Sequence, residues 1–207
     1  MGAGTFYADL VSKGIKTTEA FAEKVVKTFR SSFPRIKGFW YATEDAAIAA
    51  VKNPGAVFEV RGTEGRVSFC YLKNDIDALR CRLPSGRLIY YFRPEVKRVH
   101  QWGEMRDKLF FVKTEKGGSR LDSTYSGKLV ENITQATARD VMVDGMLRLE
   151  KEFGSELVLT VHDELIDDAP EGRTLEEGTR LLCVNEPWSA GLPIGAGGFE
   201  CSHYQKG

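Results

Sequence analysis

A change in hydrophobic spacing at Asn53–Gly55 constrains the fold of this 207-residue chain more than any other feature. Before these residues, apolar side chains recur every three or four positions, which is typical of amphipathic helices, and Pro34 separates two of them. After them, over residues 56–116, the chain becomes rich in short β-type segments joined by turn residues. The sequence therefore predicts an α+β protein whose first part is helical.

The glycine pair at 117–118 marks the next change in pattern. We predict a domain boundary there, between residues 1–118 and residues 119–207. A long helix is predicted over residues 126–153, because apolar residues again recur at helical spacing. Gly154 follows it and suits the left-handed conformation that commonly ends a helix.

A hairpin is predicted after the long helix. The apolar run Leu157–Val161 indicates a buried strand, and Glu164–Asp168 indicates its partner. His162 and Asp163 then occupy the turn, where an ordinary hairpin also accommodates aspartate. The second strand is expected to add further acids around the tip, a cluster whose mutual repulsion a bound cation would relieve. They are Glu164, Asp167 and Asp168.

The long helix carries a polar face. Lys128, Glu131, Gln135 and Arg139 are spaced by three and four residues and therefore share one side of the helix. Side chains of this kind form hydrogen bonds with the edges of base pairs in the minor groove. A simply solvated face is the alternative interpretation, and it is commoner.

Several segments together resemble the family A (Pol I-like) DNA polymerases, in their bacteriophage form. Residues 125–140 and 159–164 resemble the motif C region, and residues 83–91 resemble the strand pair before it. Residues 186–200 resemble the C-terminal end of the family, and residues 1–54 the fingers segment after the nucleotide-binding helix. The resemblance implies a helical fingers remainder with a small β insertion, then part of an antiparallel palm sheet with the long helix and the motif C hairpin.

The resemblance also implies a set of site residues. Asp163 matches the motif C aspartate, which in the family binds Mg²⁺ in a two-metal catalytic site together with a second aspartate from motif A. Glu164 matches the neighbouring catalytic acid, which tunes that site. His162 matches a residue near the primer terminus, and Gln135 matches a residue that contacts the minor groove of the DNA.

The chain departs from the bacterial pattern on the long helix. The bacterial family has an asparagine and an arginine at the positions that Glu131 and Gly127 hold here. Asn132 and Lys128 are each one residue out of phase, which is about 100° around the helix. We therefore exclude Glu131 from the predicted site and keep Asn132 and Lys128 as candidates for DNA contact.

The sequence contains no motif A. We therefore expect primer–template DNA and dNTP as ligands, and an N-terminal polymerase polypeptide that carries motif A, the thumb and the nucleotide-binding helix as a partner, with this chain inactive alone. A polymerase split between two genes and a boundary imposed on a longer polypeptide both explain this, and Met1 favours the split. The alternative function is a non-catalytic DNA-binding accessory module of the same fold.

Composition limits which other classes of function and cellular location are compatible with the sequence. Lys and Arg number 29, as do Asp and Glu, so the formal net charge is zero. Nucleic-acid binders often carry a basic excess, so its absence either counts against DNA binding or places the basic surface elsewhere in an assembly. The sequence has no CxxC motif, no signal-peptide pattern and no apolar stretch of membrane-spanning length. These features predict a cytoplasmic protein that does not bind membranes, located in the host cytoplasm if the source is a virus.

Overall fold

The computed structural model describes residues 2–74, 76–101 and 103–204, without the side chain of Glu115. The described chain forms two compact units. Unit 1 runs to Arg82 and continues over Leu88–Asn132, and unit 2 comprises Leu83–Arg87 and the chain from Ile133 onward. The Gly117–Gly118 segment, where we predicted a boundary, lies within unit 1. The assignment of residues 1–118 to the fingers and of 119–207 to the palm stays a prediction, and Met1 lies outside the described residues.

Unit 1 begins with three helices, as the apolar spacing predicts. Thr18 caps the second helix, where its side-chain oxygen accepts a hydrogen bond of 3.2 Å from the backbone N–H of Phe21. Pro34 ends that helix and occupies the first turn of the next, a position where its missing N–H is tolerated. The helices are α1 (Ala3–Ser12), α2 (Glu19–Ser32) and α3 (Pro34–Lys52).

The rest of unit 1 is mainly a six-stranded antiparallel sheet in which each strand pairs with the next along the chain. The α+β class is confirmed, but the β insertion is larger than the small one that we predicted. The strands begin at Val57, within the predicted β-rich range of residues 56–116, and extend past it to Ser123. The strands are β1 (Val57–Glu59), β2 (Ser68–Leu72), β3 (Ala78–Arg82), β4 (Leu88–Gln101), β5 (Glu104–Glu115) and β6 (Gly118–Ser123).

One face of this sheet forms the core of unit 1 against α3. Large side chains of the sheet, among them Phe69, Leu79 and Leu109, are fully buried. The buried positions of α3 are mostly alanines, for example Ala47 and Ala50, and these small side chains let the helix approach the sheet closely. The opposite face of the sheet has no comparable cover among the described residues.

Unit 2 is built around the long helix and the hairpin, as predicted. The helix ends in a π-helical turn over Leu149–Phe153, and Gly154 follows it with a φ of 77°. Leu149 and Phe153 pack with Leu181 in a small buried core. The elements are α4 (Ser126–Arg148, whose first residues belong to unit 1), β7 (Glu156–Val161), β8 (Glu164–Asp168) and α5 (Leu175–Leu182).

Hydrogen bonds attach the short segment Leu83–Arg87 to α4. Asp140 is almost fully buried, and its carboxylate accepts a hydrogen bond of 2.5 Å from the hydroxyl of Ser85 and another from the guanidinium of Arg87. Arg87 also donates to the main-chain oxygen of Ala136, at 2.8 Å. Because a buried carboxylate is stable only when it is paired, these contacts fix the turn on the helix.

The prediction that Leu157–Val161 is a buried strand is wrong for this chain. Val158 is 60% exposed and Leu159 is 44% exposed. The reason is that β7 pairs only with β8 in a two-stranded sheet, which leaves apolar side chains without cover among the described residues.

None of the described helices is both long and apolar enough to cross a membrane.

Glu44 on α3 makes the stability of unit 1 depend on pH. Burial raises the pKa of its carboxyl above the ordinary 4.5, and this outweighs the hydrogen bonds that it accepts from Ser126. An acid with a raised pKa holds its proton more tightly in the folded state, so its ionisation costs folding free energy. That cost is absent below the unfolded pKa and becomes complete as the pH rises above the folded pKa.

We expect Glu44→Gln to raise the free energy of unfolding at neutral pH, with the gain disappearing as the pH falls below the ordinary carboxyl pKa. Urea unfolding at a series of pH values measures the difference. Glu23→Gln, at an exposed position on α2, is the matched control and should give no such pH-dependent gain. A gain for Glu44→Gln that is constant over the whole pH range would contradict the prediction.

Candidate active site

A two-residue turn at the tip of the β7–β8 hairpin carries His162 and Asp163, because Val161 and Glu164 pair directly across it. His162 has a φ of 55°, in the left-handed region. Two-residue hairpins favour turns with positive φ at this position, although a residue other than glycine is strained there. Both turn side chains are exposed. The backbone therefore presents the imidazole and the carboxylate outward from the hairpin.

The acids of the hairpin do not all gather at this tip. Glu164 is half-buried beside Asp163, whereas Asp167 and Asp168 lie at the opposite end of β8. At about 3.3 Å per residue, Asp167 is about 13 Å from Asp163 along the strand. Asp167 instead accepts a hydrogen bond of 2.5 Å from the hydroxyl of Ser155. The predicted cluster of acids around the tip is therefore wrong, and the tip itself holds two carboxylates.

The tip opens into a cleft of about 1360 Å³ within unit 2. Gln135 on α4 lines the same cleft as His162, Asp163 and Glu164. The structure thus brings together four of the six site residues that the sequence predicts, although Gln135 is 27 positions before His162 in the chain (162 − 135 = 27). Further walls come from α5 and from the irregular segment at residues 194–204.

The other two predicted residues, Lys128 and Asn132, belong to unit 1. The ammonium of Lys128 forms an ion pair with Glu131 at 2.9 Å, and Asn132 donates to the hydroxyl of Tyr91 at 3.3 Å. Burial of the Tyr91 hydroxyl has the largest influence on its pKa, and it raises that pKa. The role of Lys128 and Asn132 in DNA contact stays a prediction.

The cleft also contains residues that the sequence did not identify as site residues. Arg139 follows Gln135 by one helical turn, and its place on the polar face of α4 was the available signal. Arg173 lies over the ring of Phe153 at 5.2 Å and also lines the cleft. His203 comes from the irregular C-terminal segment, where no periodic pattern points to a position in space.

The two carboxylates at the tip are ligands of the right chemical type for a divalent cation, but two side chains are too few to hold one. Carboxylate oxygens are the ligands that Mg²⁺ prefers, and Asp163 is exposed enough to offer both of its oxygens. Among the residues that the structure describes, no three His, Cys, Asp or Glu side chains are placed to hold a metal ion together. The tip therefore offers carboxylate oxygens but not a complete set of ligands for Mg²⁺.

Comparison with known proteins gives one informative similarity. A protein named DNA polymerase, from Bacillus phage SP02, is 37% identical to this chain over 186 residues. The alignment covers 88% of this chain and 27% of the relative, so the chain spans about a quarter of the relative's length. No protein-family model matches the chain, and no solved structure gives a significant match.

Proposed function

We propose that this chain is part of a template-directed DNA polymerase of family A, and that the hairpin tip is half of its catalytic site for nucleotide addition. The observation that carries the proposal is the convergence of Asp163, Glu164, His162 and Gln135 on one cleft. The similarity to a phage DNA polymerase supports it, since that similarity extends over most of this chain. The proposed substrates are a primer–template duplex and a dNTP, and the proposed place of action is the cytoplasm, that of the host if the source is a phage.

Asp163 is the proposed ligand for Mg²⁺, with Glu164 beside it as a weaker contributor. When bound, such ions stabilise the charge that develops on the attacking and leaving oxygens of nucleotidyl transfer. The role of Asp163 is to fix negative charge at an exposed turn where a primer end has access. Glu164 is half-buried, so fewer of its oxygen lone pairs face the cleft and its effect is smaller.

His162 and Gln135 are the proposed DNA contacts of the cleft. An imidazole N–H of His162 at the exposed turn is a hydrogen-bond donor, and a phosphate oxygen at the primer end is a suitable acceptor. Gln135 is exposed on α4, and its amide can donate to the minor-groove acceptors, purine N3 and pyrimidine O2, that every base pair presents. Such contacts hold the primer end without selecting a base, as a template-directed enzyme requires.

We further propose that a second polypeptide supplies motif A, the thumb and the nucleotide-binding helix. The exposed apolar side chains of β7 support this, because a two-stranded sheet is marginally stable alone and an open apolar edge favours pairing with another strand. The incomplete metal ligand set at the tip supports it too, since a carboxylate from a neighbouring strand would complete the site.

Primer extension tests the proposed function. We expect the chain alone to add no nucleotides. We expect it to extend a primer with Mg²⁺ and dNTP when it is mixed with a polypeptide that comprises the phage relative's sequence outside the aligned region. The mixture should also elute as one complex in size-exclusion chromatography with light scattering. Each polypeptide by itself is the control.

The alternative function, a non-catalytic DNA-binding accessory module, makes the opposite prediction for this assay. A complex that binds primer–template DNA but never extends it would favour the accessory module. Failure of the two polypeptides to associate at any concentration would contradict the proposed partner.

A further inference from the structure

The face of the six-stranded sheet opposite α3 carries exposed aromatic rings. We call it the outer face and define it by Arg80 on β3, Tyr90 and Phe92 on β4, Phe110 on β5, and Lys97 on β4. Tyr90 is 39% exposed and Phe92 is 50% exposed, although they lie on a central strand of the sheet. Rings of this size are normally buried at such positions, so their exposure needs an explanation.

The register of the strands shows that these side chains share one face. Arg80 pairs directly with Tyr90, and Phe92 pairs with Val112. Phe110 is two positions before Val112 and therefore points to the same side of the sheet. The intervening residues point to the other side, where they form the buried core.

The rings are ordered by contacts with one another and with cations. The rings of Tyr90 and Phe92 are nearly parallel, with centroids 6.3 Å apart and an interplanar angle of 15°. The guanidinium of Arg80 lies 5.9 Å from the centroid of Tyr90, and the ammonium of Lys97 lies 5.3 Å from that of Phe110. Lys97 also forms an ion pair with Glu95 at 2.9 Å. One end of the aromatic row thus has the guanidinium of Arg80 beside it, and the other end has the ion pair of Lys97 with Glu95.

From this arrangement we infer that the outer face binds single-stranded DNA. Bases stack on exposed aromatic rings regardless of sequence, and Lys and Arg beside the rings attract the phosphates of the same strand. A sheet with aromatic residues on its central strands is a known geometry for binding single-stranded nucleic acid. The inference goes beyond the proposed function, because the outer face lies in unit 1 and includes none of the residues of the cleft.

Charge favours DNA over a protein partner as the occupant. A covered protein interface typically has a core that is depleted in charged residues. Here Arg80 and Lys97 lie directly on the rings instead of at a distant rim. A polyanion with flat bases matches both features of the surface, the rings and the cations.

Binding of the full chain to fluorescent oligo(dT), measured by anisotropy, tests the inference. We expect the double variant Tyr90→Ala/Phe92→Ala to bind at least about 5-fold more weakly, because a stacked base is lost. Tyr90→Phe/Phe92→Tyr keeps both rings and should bind like the wild type. Lys97→Gln should reduce the slope of log K against log[salt] by about 0.7, because one phosphate contact is removed.

The control is Tyr41→Ala, which removes an exposed ring of unit 1 on α3 and should leave oligo(dT) binding unchanged. Circular dichroism confirms that each variant is folded. Three outcomes would overturn the inference. They are a wild-type chain that does not bind oligo(dT), a Tyr90→Ala/Phe92→Ala variant with unchanged affinity, and a variant that loses binding to the partner polypeptide while it keeps binding to oligo(dT).

Discussion

Asp163→Ala is expected to reduce nucleotide addition by the assembled polymerase at least about 10³-fold, with little change in folding or in DNA affinity. Metal ions held by such a carboxylate commonly supply several kcal/mol of transition-state stabilisation, and each 1.4 kcal/mol or so is a tenfold change in rate. The side chain is exposed at a turn, so its removal opens no cavity in the core. It also removes repulsion with the carboxylate of Glu164.

Single-turnover primer extension, with DNA affinity measured in parallel, checks this expectation. Glu156→Ala is the matched control, since Glu156 is an exposed acid of the same hairpin at the end far from the tip. The control should retain most of the activity, and Glu164→Ala should fall between the two. Near-normal turnover by Asp163→Ala would remove the basis of the catalytic assignment.

Arg148→Ala is expected to cause a large loss of stability in unit 2. The guanidinium of Arg148 is nearly buried and forms three hydrogen bonds at the end of α4. It donates to the main-chain oxygens of Leu181 and Val184, at 2.9 and 2.8 Å, and to the carboxylate of Glu186, at 2.5 Å. Removal of one partner of a buried ion pair typically costs about 3–5 kcal/mol, because the remaining charge is left uncompensated. Glu186 is partly exposed, which places the expected loss at about 3 kcal/mol.

Amide hydrogen exchange measures this loss where it should occur, in α5 and in the π-helical turn at Leu149–Phe153. Arg148→Lys keeps the charge but not the planar array of donors, and it should recover only part of the protection. Arg139→Ala, at an exposed position of the same helix, is the control and should change protection by less than about 0.5 kcal/mol. Equal protection in Arg148→Ala and the wild type would show that the three contacts add nothing to stability.

Local patterns were enough to predict most elements of the fold. Thr18 and Pro34 define helix boundaries through their own side chains, so these boundaries can be predicted without knowledge of tertiary contacts. Gly154 likewise ends α4 because it adopts a conformation that other residues avoid. The sheet was harder to predict. β4 and β5 are long paired strands, and the alternation of apolar and polar residues along them depends on which face of the sheet other elements cover.

Local sequence was enough to place His162 and Asp163 in a hairpin turn, because strand-forming runs flank these two residues directly. It also determined that Gln135 lies on a polar helix face. Tertiary packing was needed to show that Gln135 and Asp163 line one cleft, that Asp167 accepts a hydrogen bond from Ser155, and that one sheet face stays exposed. These outcomes depend on how separate elements pack, and packing joins residues that are distant in the chain and that no local pattern relates.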